Sequence, residues 1–149
     1  MITGTSKGEI VIWKGLSFDF EKTNDVHKTS IQAMKWSNYE KYLVTGDKNG
    51  QVIYSSKKLS QKNEFAAHSE AIKDIAFSPS SLKMITCSDD ATAKIWDFAT
   101  STEEILFDKH GSDVKSCDWH PTKSMIATGS KDNCVKLWDA RTGKEFENI

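Results

Sequence analysis

The chain has 149 residues, of which 28% are charged and 38% hydrophobic, and its 20 basic and 21 acidic side chains leave a formal charge of −1. That length and composition fit one water-exposed globular domain. They exclude the strongly basic footprint of a protein that grips nucleic acid by charge alone, and no apolar run reaches the length of a membrane-spanning helix.

The first ten residues, "MITGTSKGEI", lack the apolar core of a secretory signal. Met1 to Thr5 reads as a strand. "GEIVIWKGLSFDFE" then reads as a strand ending near Trp13, a turn, and an outer strand carrying Phe18 and Phe20. "IQAMKW", at Ile31 to Trp36, alternates apolar and polar residues, as a half-buried strand does. "YLVTGDKNGQVIY" reads as two strands around an Asp-Lys-Asn-Gly turn, and "QKNEF" as a fourth strand. The same order follows twice more. "AIKDIAF", "KMITCSDDATAKIW" and "EEILF" form one set, and "DVKSCDW", "MIATGSKDNCVKLW" and "KEFEN" the next. Pro79 and Pro121 fall just after strands, where a missing N–H does no harm. No amphipathic helix of useful length is present.

These sets are one repeat. Trp13, Trp96 and Trp138 lie 83 and 42 residues apart, and His27, His68 and His110 lie 41 and 42 apart. Each histidine precedes its tryptophan site by 28 residues, which makes Ser55 the site of a missing tryptophan. Ten residues before each site stands threonine: Thr3, Thr45, Thr86 and Thr128. Six before it stand Lys7, Asn49, Asp90 and Asp132. Four short antiparallel strands every 41 or 42 residues predict the blades of an all-β propeller. The divisions expected are an incomplete first blade at 1–26, then blades at 27–67, 68–109 and 110–149.

The cysteines, Cys87, Cys117 and Cys134, are three in number with no CxxC spacing, so neither a disulfide framework nor a zinc site is expected. Each reads as a small buried hydrophobe, in a reducing, intracellular compartment. Lys57, Lys58 and Lys62, like Lys14 and Lys22, read as solvated surface. Gly46 and Gly50 lack the GxxxxGK[ST] frame of a phosphate loop. His120 in "DWHP" reads as a structural histidine at a strand end. A recurring set of His, Asp, Ser and Thr can mimic a hydrolase triad, but a triad in every repeat is implausible, and no enzyme, metal or cofactor is expected.

The histidine, turn aspartate, strand threonine and closing Trp-Asp resemble the WD-repeat family over the whole chain, most strongly in "SDDATAKIWD" and "SKDNCVKLWD". About three and a half blades of a usual seven are present. The raw ends of such a half are expected either to be covered by more of a longer protein or to associate with a second copy. The resemblance implies a buried hydrogen-bond network in each blade, His68–Thr86–Asp90–Trp96 and His110–Thr128–Asp132–Trp138. In it the carboxylate accepts from the imidazole N–H, and threonine links that ring to the indole N–H. With Ser55 for tryptophan and Asn49 for aspartate, the blade between is expected to be the weakest.

"GEIVIWKGLSFDFE" and above all "DVKSCDWHPTKSMIATGSKDNCVKLWD" resemble one branch of the family, the WD-repeat subunit of the pre-mRNA cleavage and polyadenylation factor. That resemblance implies a nuclear scaffold. Its partners would be a zinc-finger subunit, a large multi-propeller subunit and, in the assembled complex, pre-mRNA. It aligns Phe20 with an aromatic that stacks on an RNA base. Thr23 stands where the branch tends to place an aliphatic contact. Phe18 is expected to pack. The alternative is a protein-binding WD scaffold without RNA contact.

Overall fold

A computed structural model describes the backbone of residues 1–56 and 62–148, with side chains for the same residues except 62, 147 and 148. The lysine cluster read at Lys57, Lys58 and Lys62 lies outside the described side chains.

The alternating segments pair with their sequence neighbours into four antiparallel sheets. The first holds β1 (Ile2–Gly4), β2 (Glu9–Lys14) and β3 (Asp19–Asp25). The second holds β4 (Ile31–Trp36), β5 (Tyr42–Asp47), β6 (Gln51–Ser56) and β7 (Lys62–Ala66). The third holds β8 (Ile72–Phe77), β9 (Lys83–Ser88), β10 (Ala93–Asp97) and β11 (Thr102–Phe107). The fourth holds β12 (Val114–Trp119), β13 (Met125–Ser130), β14 (Val135–Asp139) and β15 (Glu145–Asn148). The inner strands β4, β8 and β12 lie side by side, so the sheets are stacked as blades around one axis. Hairpin chemistry sets the tight turns. Gly50 sits at φ 79° and its carbonyl accepts the amides of Ala67 and His68, which ties the turn of one blade to the start of the next.

The apolar core lies between sheets rather than within them. The third and fourth sheets meet through Ile85, Ile95, Phe107, Val114, Ile126 and Trp138. The second and third meet through Val44, Val52, Ile72, Met84 and Trp96. The first and second share less: Ile10 and Leu43 are buried there, with partly buried Ile2, Ile12, Ile31 and Met34 around them. This thinning has a local cause. Phe65 and Phe107, on outer strands, pack on the tryptophan of the following sheet, with ring centroids 4.8 Å from Trp96 and 4.7 Å from Trp138. The matching pair at the first junction is Asn24 and Ser55, both polar, and the Asn24 Nδ2 is buried with no hydrogen-bond partner.

Tryptophan also marks a bulge. The register between the third and outer strands shifts at Ile12/Trp13, Ile95/Trp96 and Leu137/Trp138. Ser55 instead pairs with Lys62 in continuous register. A bulge adds twist to the outer strand where each of these indoles sits, and the one sheet with no indole at this site keeps its outer strand in regular register.

Candidate functional site

In the third sheet the side chains of His68, Thr86, Asp90 and Trp96 join into one chain of hydrogen bonds. His68 Nδ1 lies 2.9 Å from Asp90 Oδ2, and its Nε2 lies 2.8 Å from Thr86 Oγ1. Trp96 Nε1 donates to the same Thr86 hydroxyl at 2.9 Å. The fourth sheet repeats this with His110, Asp132, Thr128 and Trp138 at 2.9, 2.7 and 2.8 Å. The proton count closes: the carboxylate accepts from Nδ1–H, Nε2 accepts the threonine O–H, and the threonine oxygen accepts the indole N–H. A hydroxyl stands two residues before each aspartate and accepts its amide, Ser88 from Asp90 and Ser130 from Asp132, both at 3.2 Å.

The second sheet builds a variant. Asn49 is not the acid's substitute, because the carboxylate comes from Asp47, two residues earlier, with His27 Nδ1 3.1 Å from its Oδ2. The contact is close enough for charge interaction but off the hydrogen-bond line, and His27 Nδ1 has no hydrogen-bond partner. Asp47 also accepts from the amides of Asn49 and Gln51 and from the Thr29 hydroxyl. His27 Nε2 lies 2.7 Å from Thr45 Oγ1, but no indole reaches that hydroxyl, which turns 3.1 Å toward the Ile53 carbonyl. The expectation of an acid-free second blade is corrected; what this sheet lacks is the indole. The sequence carried the signal in "TGDKNG", where the aspartate opens the turn rather than closing it.

The first sheet keeps the far half of the network, Trp13 Nε1 to Thr3 Oγ1 at 2.9 Å. Ile10 and Ile12 face the second sheet, so by strand alternation Val11 and Trp13 face the other way. Their cross-strand partners are Thr23 and Phe20. The structure therefore brings Phe20, Thr23 and Trp13 onto one face. Phe20 is 63% exposed and meets the Trp13 ring edge-on at 6.3 Å, which leaves most of its surface to solvent. Phe18, expected to pack, is instead 54% exposed. It lies before the strand, at φ 55°, so the alternation that would have paired it with Phe20 does not reach it. Lys14 and Lys22 are exposed on the same hairpin.

Cys87 and Cys117 are buried, but Cys134 is only partly so, a correction that follows from its place at the open turn beside Asp132. Interaction of its S–H with the Cys87 sulfur, together with burial, pushes the Cys117 thiol up. His120 Nδ1 accepts the amides of Thr122 and Lys123, shaping the loop after β12. Among the described residues no group of three or more His, Cys, Asp or Glu side chains is placed to hold a metal ion.

Burial opposes ionisation of Asp90, yet hydrogen bonds from His68 and Thr92 hold its carboxyl well below the usual carboxylate range. Burial likewise opposes Asp132, and the Gly111 amide and His110 outweigh it. Burial pulls His27 below its ordinary value against the pull of Asp47. All three shifts act in one direction. Depressed carboxyls stabilise the fold above about pH 4, and a depressed histidine above about pH 6.5. Both contributions fade as the pH falls toward the folded-state values. Urea midpoints are therefore expected to fall from pH 8 to 5.5 and again to 3.5, and Asp90→Asn with Asp132→Asn should flatten the second step. A midpoint constant across that range would contradict the network as a source of stability.

Sheets of four antiparallel strands, stacked as blades and tied by His–Asp and Thr–Trp contacts, define a WD-type propeller. The sequence matches the family described as WD domain, G-beta repeat over residues 18–54, 59–97 and 102–139. Those stretches exceed half the chain, and the chain belongs to the WD-repeat family. Among characterised relatives, Polyadenylation factor subunit 2 of Candida albicans is 42% identical over 104 residues, 70% of this chain and 19% of that protein. The protein of that name from Cryptococcus neoformans is 40% identical over 104 residues, 70% of this chain and 15% of its own length. That from Aspergillus fumigatus is 38% identical over 105 residues, 70% of this chain and 17% of its own length. The branch resemblance read from the sequence is borne out, and the chain spans less than a fifth of the length of these relatives. A chain of the solved "Crystal Structure of Mitotic Checkpoint Complex" superposes with a TM-score of 0.90 over 99% of this chain and 46% of that one. Its 21% identity speaks to the fold alone.

Proposed function

We propose that this chain is a non-catalytic scaffold of the nuclear machinery that cleaves and polyadenylates messenger RNA, and that Phe20 stacks on a base of the polyadenylation signal in the assembled complex. The relatives that share the Polyadenylation factor subunit 2 name support the setting. The zinc-finger and multi-propeller subunits are the partners that setting brings.

The observation that carries the RNA contact is the exposure of Phe20. Its position opposite the tryptophan holds Glu103 in the third sheet and Glu145 in the fourth. Those glutamates pair with Lys94 at 2.9 Å and Lys136 at 2.8 Å. Glu103 is exposed although the second sheet lies alongside, so this position stays open to solvent where a neighbouring blade is present. An aromatic in place of a paired glutamate offers an uncommitted ring, and unstacked bases lie on such rings in sequence-specific RNA binding. Thr23 lies beside it as a smaller contact.

Phe20→Ala, measured in the assembled complex with labelled AAUAAA hexamer, should cost about 1–3 kcal/mol of binding, the worth of one stacked base. The circular dichroism spectrum should not change, because Phe20 holds no core. Unchanged affinity would favour the scaffold without RNA contact, and loss of the fold would make Phe20 a packing residue.

A further inference from the structure

A groove of about 560 Å³ opens between the second and third sheets, on the rim that carries the loops before β5 and β9. Its walls are the places where this chain leaves its own repeat. Tyr42 stands where the other blades have Lys83 and Met125, Tyr54 where they have Ile95 and Leu137, and Phe98 where the next has Ala140. These three rings pack together, with Tyr42–Phe98 centroids at 5.4 Å and Tyr54–Phe98 at 5.0 Å. Tyr54 is fixed further by its hydroxyl, 3.2 Å from Ser101 Oγ.

The mouth of the groove is held in an unusual backbone. Tyr39 at φ 67°, Glu40 at φ 51° and Ser81 at φ 55° are three non-glycine residues in the left-handed region. Asn38 clamps the two loops together. Its amide donates to Ser81 Oγ, and its Nδ2 donates to the carbonyls of Ser78 and Pro79, each at 2.9 Å. The outcome of this clamp is Tyr39, 94% exposed at the rim. Backbone strain persists where the surroundings over-determine it, and such places cluster at ligand clamps.

We propose that this groove docks a proline-rich peptide in the polyproline II conformation, with an acidic residue flanking it that reaches Lys41. Such a peptide makes no internal hydrogen bonds, so its carbonyls need donors and its rings need aromatic walls. The walls supply tyrosine faces, and the Asn63 amide and Ser80 hydroxyl at the rim supply donors. Among the described lining residues there is no carboxylate, and Lys41, whose ammonium lies 5.3 Å from the Tyr42 ring, is the one cation. The Lys41 ammonium suits an acidic side chain flanking the peptide. This proposal stands apart from Phe20 and does not depend on the RNA reading.

Fluorescence anisotropy with a labelled octaproline flanked by aspartates tests it on the whole chain. Saturable binding is expected, and binding is expected to be lost when glycine replaces the prolines. Tyr39→Ala should weaken it by about three- to tenfold, the worth of one aromatic contact. Tyr39 is exposed, so the change removes no core. Lys41→Glu should weaken it too, and lysine flanks on the peptide should restore it. The proposal is overturned if the octaproline shows no saturation, if both variants leave its binding unchanged, or if oligouridine binds more tightly in a Tyr39-dependent way, which would make the groove a nucleic-acid site.

Discussion

Truncating Trp138 to alanine should cost about 3–5 kcal/mol of stability, a large share of what a domain of this size holds. The indole is 1% exposed. It packs on Phe107, donates to Thr128, and lies beneath the ammonium groups of Lys109 and Lys136, each 6.0 Å from its ring. Its removal opens a cavity between two sheets and leaves the Thr128 hydroxyl without its donor. Trp13 occupies the same place in the motif and makes the same bond to threonine, yet it is only half buried. Trp13→Ala should cost about 1–2 kcal/mol, in keeping with partial burial. Urea unfolding of the two variants separates burial from hydrogen bonding. Equal losses would mean that the indole–threonine bond, rather than packing between sheets, sets the stability.

That contrast explains what was legible in the sequence. The strand alternation and the 41- and 42-residue spacing report constraints that every blade obeys, so His68, Thr86, Asp90 and Trp96 could be found by register alone. Asp47 could not, because in the second blade the acid moved two positions along the turn and still reached the histidine. A fixed offset misses a substitution that geometry tolerates. Phe18 failed for a related reason. Alternation holds within a strand, and the left-handed backbone at Phe18 delays the start of β3 to Asp19, so Phe18 lies outside it. The pairing of Asn24 with Ser55 was hidden because it crosses two sheets, and a repeat read along the chain does not show which outer-strand residue meets which tryptophan. Cys134 was misjudged because an apolar neighbour in sequence is not an apolar neighbour in space.

The features proposed to carry function share one property: they are departures from the repeat. Phe20 replaces a lysine-paired glutamate, and Tyr42, Tyr54 and Phe98 replace residues of the ordinary blade. Positions that obey the repeat are committed to holding sheets together. The Lys136–Glu145 pair illustrates the cost of commitment, since it lowers the Glu145 carboxyl and closes over Trp138, leaving nothing free for a partner. A side chain released from that duty is available for recognition.

Gly50→Ala should destabilise the chain by at least about 3 kcal/mol, through two additive causes. The backbone at φ 79° puts an L side chain in the left-handed region, which alone costs about 1–2 kcal/mol. The added methyl would also stand 2.1 Å from the His68 carbonyl oxygen and 2.8 Å from that of Glu70. Those atoms belong to backbone, so nothing can swing aside. Relief requires the second blade's turn to part from the segment that delivers His68 to its network, which breaks the amide bonds from Ala67 and His68 to the Gly50 carbonyl. Gly129→Ala is the control, since it lies within β13 with nothing inside 4 Å of the new methyl. It should change stability by less than about 1 kcal/mol, and in the favourable direction if strand propensity decides. Thermal melts of the two variants give the comparison. A Gly50→Ala protein that melts with the parent would mean that blades couple through their apolar faces alone, and that the turn-to-histidine link carries no load.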